Sequence, residues 1–131
     1  DPELIAKKFK RGIFKAETIE IGADGKREQE SAAMCMDEQS SHMLVFGVLA
    51  GVAGCEPLST REDKSSIAVT ANCPTTSEMG ANFYSATMRW SADGKRIEME
   101  SKRVTLEGGK PTDKLLKSLQ YKLTHQAASC P

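Results

Sequence analysis

Two stretches of the chain alternate apolar and polar residues on either side of the same tetrapeptide, Ala-Asp-Gly-Lys, at 23–26 and 92–95. Asp-Gly supplies the left-handed backbone angles of a tight hairpin turn, so each stretch predicts a pair of antiparallel strands. Counting outward from the second turn sets Trp90 opposite Ile97, Met88 opposite Met99 and Ala86 opposite Ser101. Arg89, Arg96, Glu98, Glu100 and Lys102 fall on the other face, which makes one side core and the other water. Around the first turn, Gly12 to Gly22 pairs with Arg27 to Met36, and the same count sets Phe14 opposite Cys35, Ala16 opposite Ala33 and Thr18 opposite Ser31 on a buried face. The flanking strands share no further pattern, so the repeated turn does not signal an internal repeat.

Between the hairpins the pattern changes. Asp37 is placed to cap a helix that begins at Glu38, and Gly54 to end it. Gly47, Gly51 and Gly54 recur at spacings of four and three. A glycine in a helix interior costs up to about 1 kcal/mol, so the stripe predicts close approach to another element, the sheet. Leu44, Val45, Phe46, Val48, Leu49 and Val52 surround this helix instead of forming one stripe, which predicts burial on several sides or a patch left for docking or lipid contact. The longest apolar run, Met43 to Ala53, has 11 residues where a bilayer span needs about 20, so no membrane-spanning helix is expected.

Cys55 and Cys73 are equidistant from Lys64, and a ribbon folded there brings them together. Four cysteines allow three pairings, and this one leaves Cys35 with Cys130. The rival bond from Cys35 to Cys55 would have to join the two ends of a helix roughly 24 Å long. In the chain-entropy model the two expected disulfides contribute about 3 and about 4 to 5 kcal/mol. Such bonds persist outside the reducing cytosol, so a periplasmic or secreted location and a removed signal segment are expected. From Thr112 the pattern is double: Leu115, Leu116, Leu119 and Leu123 suit a helix, whereas Leu119, Tyr121 and Leu123 alternate as in a strand. A short helix and then a short strand are expected over 112–124. Residues 1–11, with Lys7, Lys8, Lys10 and Arg11, read as a flexible basic arm, and 12–131 as a single disulfide-bonded domain.

Charge and composition narrow the chemistry. Lys plus Arg and Asp plus Glu both number 18, so no single-sign field draws nucleic acid. Met34-Cys35-Met36 with His42 is a soft-ligand set of the kind copper(I) favours, but a disulfide at Cys35 removes the thiolate and alternation turns both methionines to the opposite face. No metal or cofactor is expected. His42 and His125 have no activating motif, and Gly108-Gly109-Lys110 lacks phosphate-loop spacing, so no catalytic residue and no enzymatic activity are expected.

The order of Gly12-Ile13-Phe14, Cys35-Met36-Asp37 ahead of a helix, the Cys55 to Cys73 ribbon, the hairpin Phe83 to Val104 and the terminal Cys130 resembles a family of small exported bacterial proteins catalogued as domain of unknown function 3617. The resemblance covers residues 12–130, with Phe14 where the family has Trp, and implies an exported, disulfide-bonded domain with no assigned activity. The expected fold is α+β, an antiparallel, curved or half-barrel sheet with the apolar helix packed on one face. The expected function is non-enzymatic: a periplasmic binding or envelope-associated protein that offers an apolar crevice near Phe46, Val48, Met88 and Trp90 to a hydrophobic small molecule or lipid, or to an envelope protein. The alternative is an inhibitor-like module that presents the loop Thr75 to Asn82. If Cys35, Cys55, Cys73 and Cys130 are all bonded, the intact mass lies four hydrogens below the reduced mass and alkylation without reduction labels none of them. Labelling of all four would remove the case for export.

Overall fold

Alternating sequence becomes alternating burial along β4 (Ser66–Cys73) and β5 (Asn82–Trp90), where Ile67, Val69, Ala71, Tyr84, Ala86, Met88 and Trp90 all point to one side and are buried. In the computed structural model, which describes residues 1–131, these strands join β1 (Gly12–Gly22), β2 (Arg27–Met36), β3 (Glu56–Asp63), β6 (Arg96–Glu107) and β7 (Lys110–Ala127) in one antiparallel sheet. The order is β2-β1-β7-β6-β5-β4-β3, and the sheet is curved and unclosed. Its apolar face is covered by two helices, α1 (Pro2–Ala6) and α2 (Glu38–Ala50), whose Ile5, Ala6, Val45 and Val48 enter the same core cluster as Phe14, Met36, Ile97 and Leu123. The two edge strands carry charge and little apolar surface, Arg27, Glu28 and Glu30 on β2 and Arg61, Glu62 and Asp63 on β3, all exposed. Such edges discourage pairing with another chain.

The second hairpin has the expected register, Trp90 with Ile97, Met88 with Met99 and Ala86 with Ser101. The first is displaced by one residue: Phe14 faces Met34, Ala16 faces Ala32 and Thr18 faces Glu30. The reason lies in the turn. At 91–96 the ladder closes on Ser91 and Arg96 and loops over four residues, whereas at 22–26 it closes on Gly22 and Lys26 and loops over three, with Gly25 at φ 80°. One tetrapeptide thus serves two loop lengths, and a one-residue slip exchanges the faces. Met34 and Met36 consequently face the core, and Cys35 lies on the far side of the sheet, bonded to Cys130 with a Cα separation of 5.7 Å.

Cys55 and Cys73 are also bonded. Their symmetry about Lys64 is reached indirectly. The tip pairs Asp63 with Ser66, a register that would set Cys73 opposite Glu56, one residue short of Cys55, and a bulge between Pro57 and Ser59 takes up one extra residue of β3, so that Glu56 faces Asn72.

Three expectations change. The helix ends at Ala50, not Gly54, and tight turns through Val52, Ala53 and Cys55 lead to the disulfide. Residues 112–124 contain no helix: β7 is one continuous strand of 18 residues. It pairs with β6 from Lys110 to Thr124 and with β1 from Lys117 to Ala127, and these ladders outweigh the helical spacing of Leu115, Leu116 and Leu119. Residues 1–11 are not a loosely held arm either. Ile5, Ala6 and Phe9 are buried, Phe9 meets Trp90 edge-on with centroids 6.0 Å apart, and Lys8 Nζ stands 5.6 Å over the same indole. The backbone beyond α1 lies against the second turn, where Lys10 N–H donates to Gly94 O at 2.9 Å and a Cβ on Gly94 would overlap Lys8 O.

Phe9→Ala should therefore cost about 3 kcal/mol or more in urea unfolding, as truncation of a buried aromatic does. A change under about 0.5 kcal/mol would show that the segment is not part of the core.

Candidate functional site

The helix α2 is held at both ends and spans a gap in between. At its start the Asp37 carboxylate accepts from Ser40 N–H at 2.8 Å, and this bond, with that of the Ser40 hydroxyl, holds its pKa below the usual carboxylate value. The buried Ser41 hydroxyl donates to Asp37 O at 2.7 Å and receives a bond from the Arg11 guanidinium. At the other end Arg103, from β6, reaches the last carbonyls. Its Nη2 donates to Gly51 O at 3.0 Å and its Nη1 to Asn82 Oδ1 at 2.8 Å, and the guanidinium lies 4.3 Å from the centroid of the Tyr84 ring. A cation at a helix C-terminus and over an aromatic face is doubly favourable. Tyr84 in turn donates to Val48 O at 3.4 Å, and burial raises its pKa despite the neighbouring guanidinium, so it stays a neutral donor.

Beneath the middle of α2 lies a crevice of about 230 Å³. Met43, Leu44, Gly47 and Val48 form its roof, and Tyr84 and Ala86 of β5, Met99 and Ser101 of β6, and Leu119 and Tyr121 of β7 form its floor. Eight of its eleven lining residues are hydrophobic, and Glu100, the one charged residue among them, belongs by alternation to the opposite face of β6. The interior therefore offers hydroxyls and apolar surface but no charge. Met43 and Gly47 also belong to the outer face of the helix, where Met43 is 65% and Phe46 51% exposed, so the crevice opens directly onto apolar surface.

The expected quartet is only partly assembled here. Val48 lines the crevice. Phe46 lies outside it, beside Asp37, Glu38 and His42 in a shallow depression. Met88 is fully buried in the core, and Trp90 is 6% exposed, with Phe9 packed edge-on against it. The sequence indicated an apolar face but not that Ile5, Ala6 and Phe9 of the N-terminal segment pack into it. Tyr84, Leu119 and Tyr121 were missed. For Leu119 and Tyr121 the signal was their alternation with Leu123, obscured by the competing helical spacing.

Other groups form no comparable constellation. His125 packs edge-on against Phe14 and bonds through Nε2 to Arg11 O at 3.0 Å, and His42 makes no hydrogen bond to a carboxylate. No three metal-ligating side chains converge. On the opposite face, a groove of about 320 Å³ is lined by charges that alternate across strands, Arg89 against Glu98 and Glu98 against Lys122. This is a solvated ladder of cross-strand pairs. The loop before β5 is pinned by threonines, with Thr76 Oγ1 accepting from Met79 N–H at 3.2 Å and Thr75 Oγ1 from Ala81 N–H at 3.1 Å. No helix is long and apolar enough to cross a membrane. No family model, curated protein or solved structure matches the chain.

The helix glycines separate in a testable way. A Cβ on Gly51 would come within 2.3 Å of the Tyr84 ring, whereas one on Gly47 meets nothing within 4 Å. In thermal or urea unfolding, Gly51→Ala should lose about 1 to 3 kcal/mol through overpacking and Gly47→Ala should gain up to about 1 kcal/mol from helix propensity. Equal effects at the two sites would contradict the packing of α2 described above.

Proposed function

We propose that this chain is a non-enzymatic binding protein that takes a hydrophobic small molecule or the apolar part of a lipid into the crevice between α2 and strands β5 to β7. The observation that carries this reading is the crevice itself: apolar, uncharged inside, open at one side and roofed by a helix fastened at its ends. Its volume exceeds the roughly 150 Å³ of a dry cavity that accepts benzene and falls short of the 300 Å³ and more of a drug-sized pocket. One alkyl segment or one substituted ring fits that space. The two disulfides support a periplasmic or secreted setting, and the same setting accompanies the resemblance to the exported family of unknown function. A protein partner gripping the threonine-pinned loop 75–82 is a second reading, favoured by the rigidity of that loop.

A neutral environment-sensitive dye, N-phenyl-1-naphthylamine, should brighten on binding with micromolar affinity. Leu119→Asp places a charge on the crevice floor at a partly exposed position and should weaken that binding at least tenfold while leaving the disulfides intact. No fluorescence gain with the unaltered protein, or an undiminished gain with Leu119→Asp, would refute the crevice as the site.

A further inference from the structure

Following the helix-covered face from the crevice toward the β6–β7 turn, the side chains change from apolar to cationic in a single step. On β6 the sequence of inward residues is Met99, Ser101, Arg103, and on β7 it is Tyr121, Leu119, Lys117. The next inward position on a strand is about 7 Å along, so Arg103 and Lys117 stand directly beyond the crevice floor. They are also cross-strand partners, paired in register on the same face. Their charged ends lean apart, the guanidinium toward Asn82 and Cys73 and the ammonium toward Glu20.

Neutralisation of these charges within the chain is incomplete. Lys117 Nζ meets Glu20 Oε1 at 3.1 Å, and Glu20 is itself the cross-strand partner of Glu28. Arg103 has no carboxylate within salt-bridge distance: its donors go to Asn82 Oδ1, Gly51 O and Cys73 Sγ, all neutral. Those three bonds and the Tyr84 ring fix the guanidinium beside the crevice without using all five of its N–H groups. A guanidinium so placed pairs with carboxylate or phosphate oxygens through charge-assisted bonds.

We propose that the ligand is an anionic single-chain amphiphile, its chain in the crevice and its carboxylate or phosphate head at Arg103 and Lys117. This rests on the crevice reading above and adds the class of head group. The test uses displacement of N-phenyl-1-naphthylamine from the whole disulfide-bonded protein by four ligands of one chain length: dodecanoate, dodecyl phosphate, dodecanol and dodecylammonium. At low ionic strength, dodecanoate or dodecyl phosphate should displace the dye at least tenfold more effectively than dodecanol, and dodecylammonium least. Which anion wins distinguishes a carboxylate from a phosphate ligand. Lys117→Gln, at an exposed position, should reduce the preference of anion over alcohol several-fold, and Glu20→Gln, which removes the internal competitor, should raise it. Neither should alter displacement by dodecanol. Equal displacement by dodecanol and both anions, or a preference that neither substitution moves, overturns the head-group assignment while leaving the crevice reading in place. Failure of the dye and dodecanol to bind at all defeats both.

Discussion

An open sheet with one apolar face must hide that face, and the whole arrangement follows from how this chain does so. It has no second sheet to lay over the first. It uses two helices of 5 and 13 residues, too little to cover seven strands completely. α1 and Phe9 enter the core, Phe9 against Trp90, and α2 bridges from the end of β2 toward the Cys55–Cys73 bond. What remains uncovered is the strip under the middle of α2. The crevice is therefore the shortfall in cover, kept open because the helix is tied at its two ends by Asp37, Ser41 and Arg11 on one side and by Arg103 and the disulfide on the other.

Much of the fold was legible because local chemistry is decisive where it is redundant. Trp90, Met88 and Ala86 alternate opposite an equally regular partner, and a count outward from the 92–95 turn reaches the register that β5 and β6 adopt. The first hairpin carries short residues such as Ala16, Ala32 and Ala33 along its strands, and its register depended on whether the loop held three residues or four, which Asp-Gly does not specify. In β7, Leu115, Leu116 and Leu119 fit a helix in isolation, and only pairing with β6, joined by β1 from Lys117 onward, decides for a strand. The symmetry of Cys55 and Cys73 about Lys64 pointed to the right bond, although the bulge near Leu58 that makes it possible leaves no mark in the residue types.

The site was less legible for a related reason. Apolar residues announce that they are buried, but not by what. Phe46, Val48, Met88 and Trp90 are all hydrophobic, yet one faces solvent, one lines the crevice, one is fully buried in the core and one is capped by Phe9, some eighty residues earlier in the chain. Arg103 was invisible as more than a charge on an alternating strand. Its part in holding the end of α2 exists only because the loop after the helix brings Gly51 O within reach.

The pairing of β1 with β7 has a further bearing, on the order in which the molecule can be made. Hairpins β3–β4 and β5–β6 join neighbours in sequence and can form as soon as their residues are available, and the Cys55–Cys73 loop can close with them. β1 and β2 can also pair early, but one edge of β1 then waits, unmatched, for the strand that comes last. Cys35 waits with it, since its partner is 95 positions away. The chain thus carries an unpaired strand edge and a free thiol through most of its synthesis, and both are withdrawn together by the arrival of a single strand. Such long-range closure slows folding and lengthens exposure to wrong partners. The exposed charges of β2 occupy the outer edge of that waiting hairpin, where they are of use before the fold is complete as well as after.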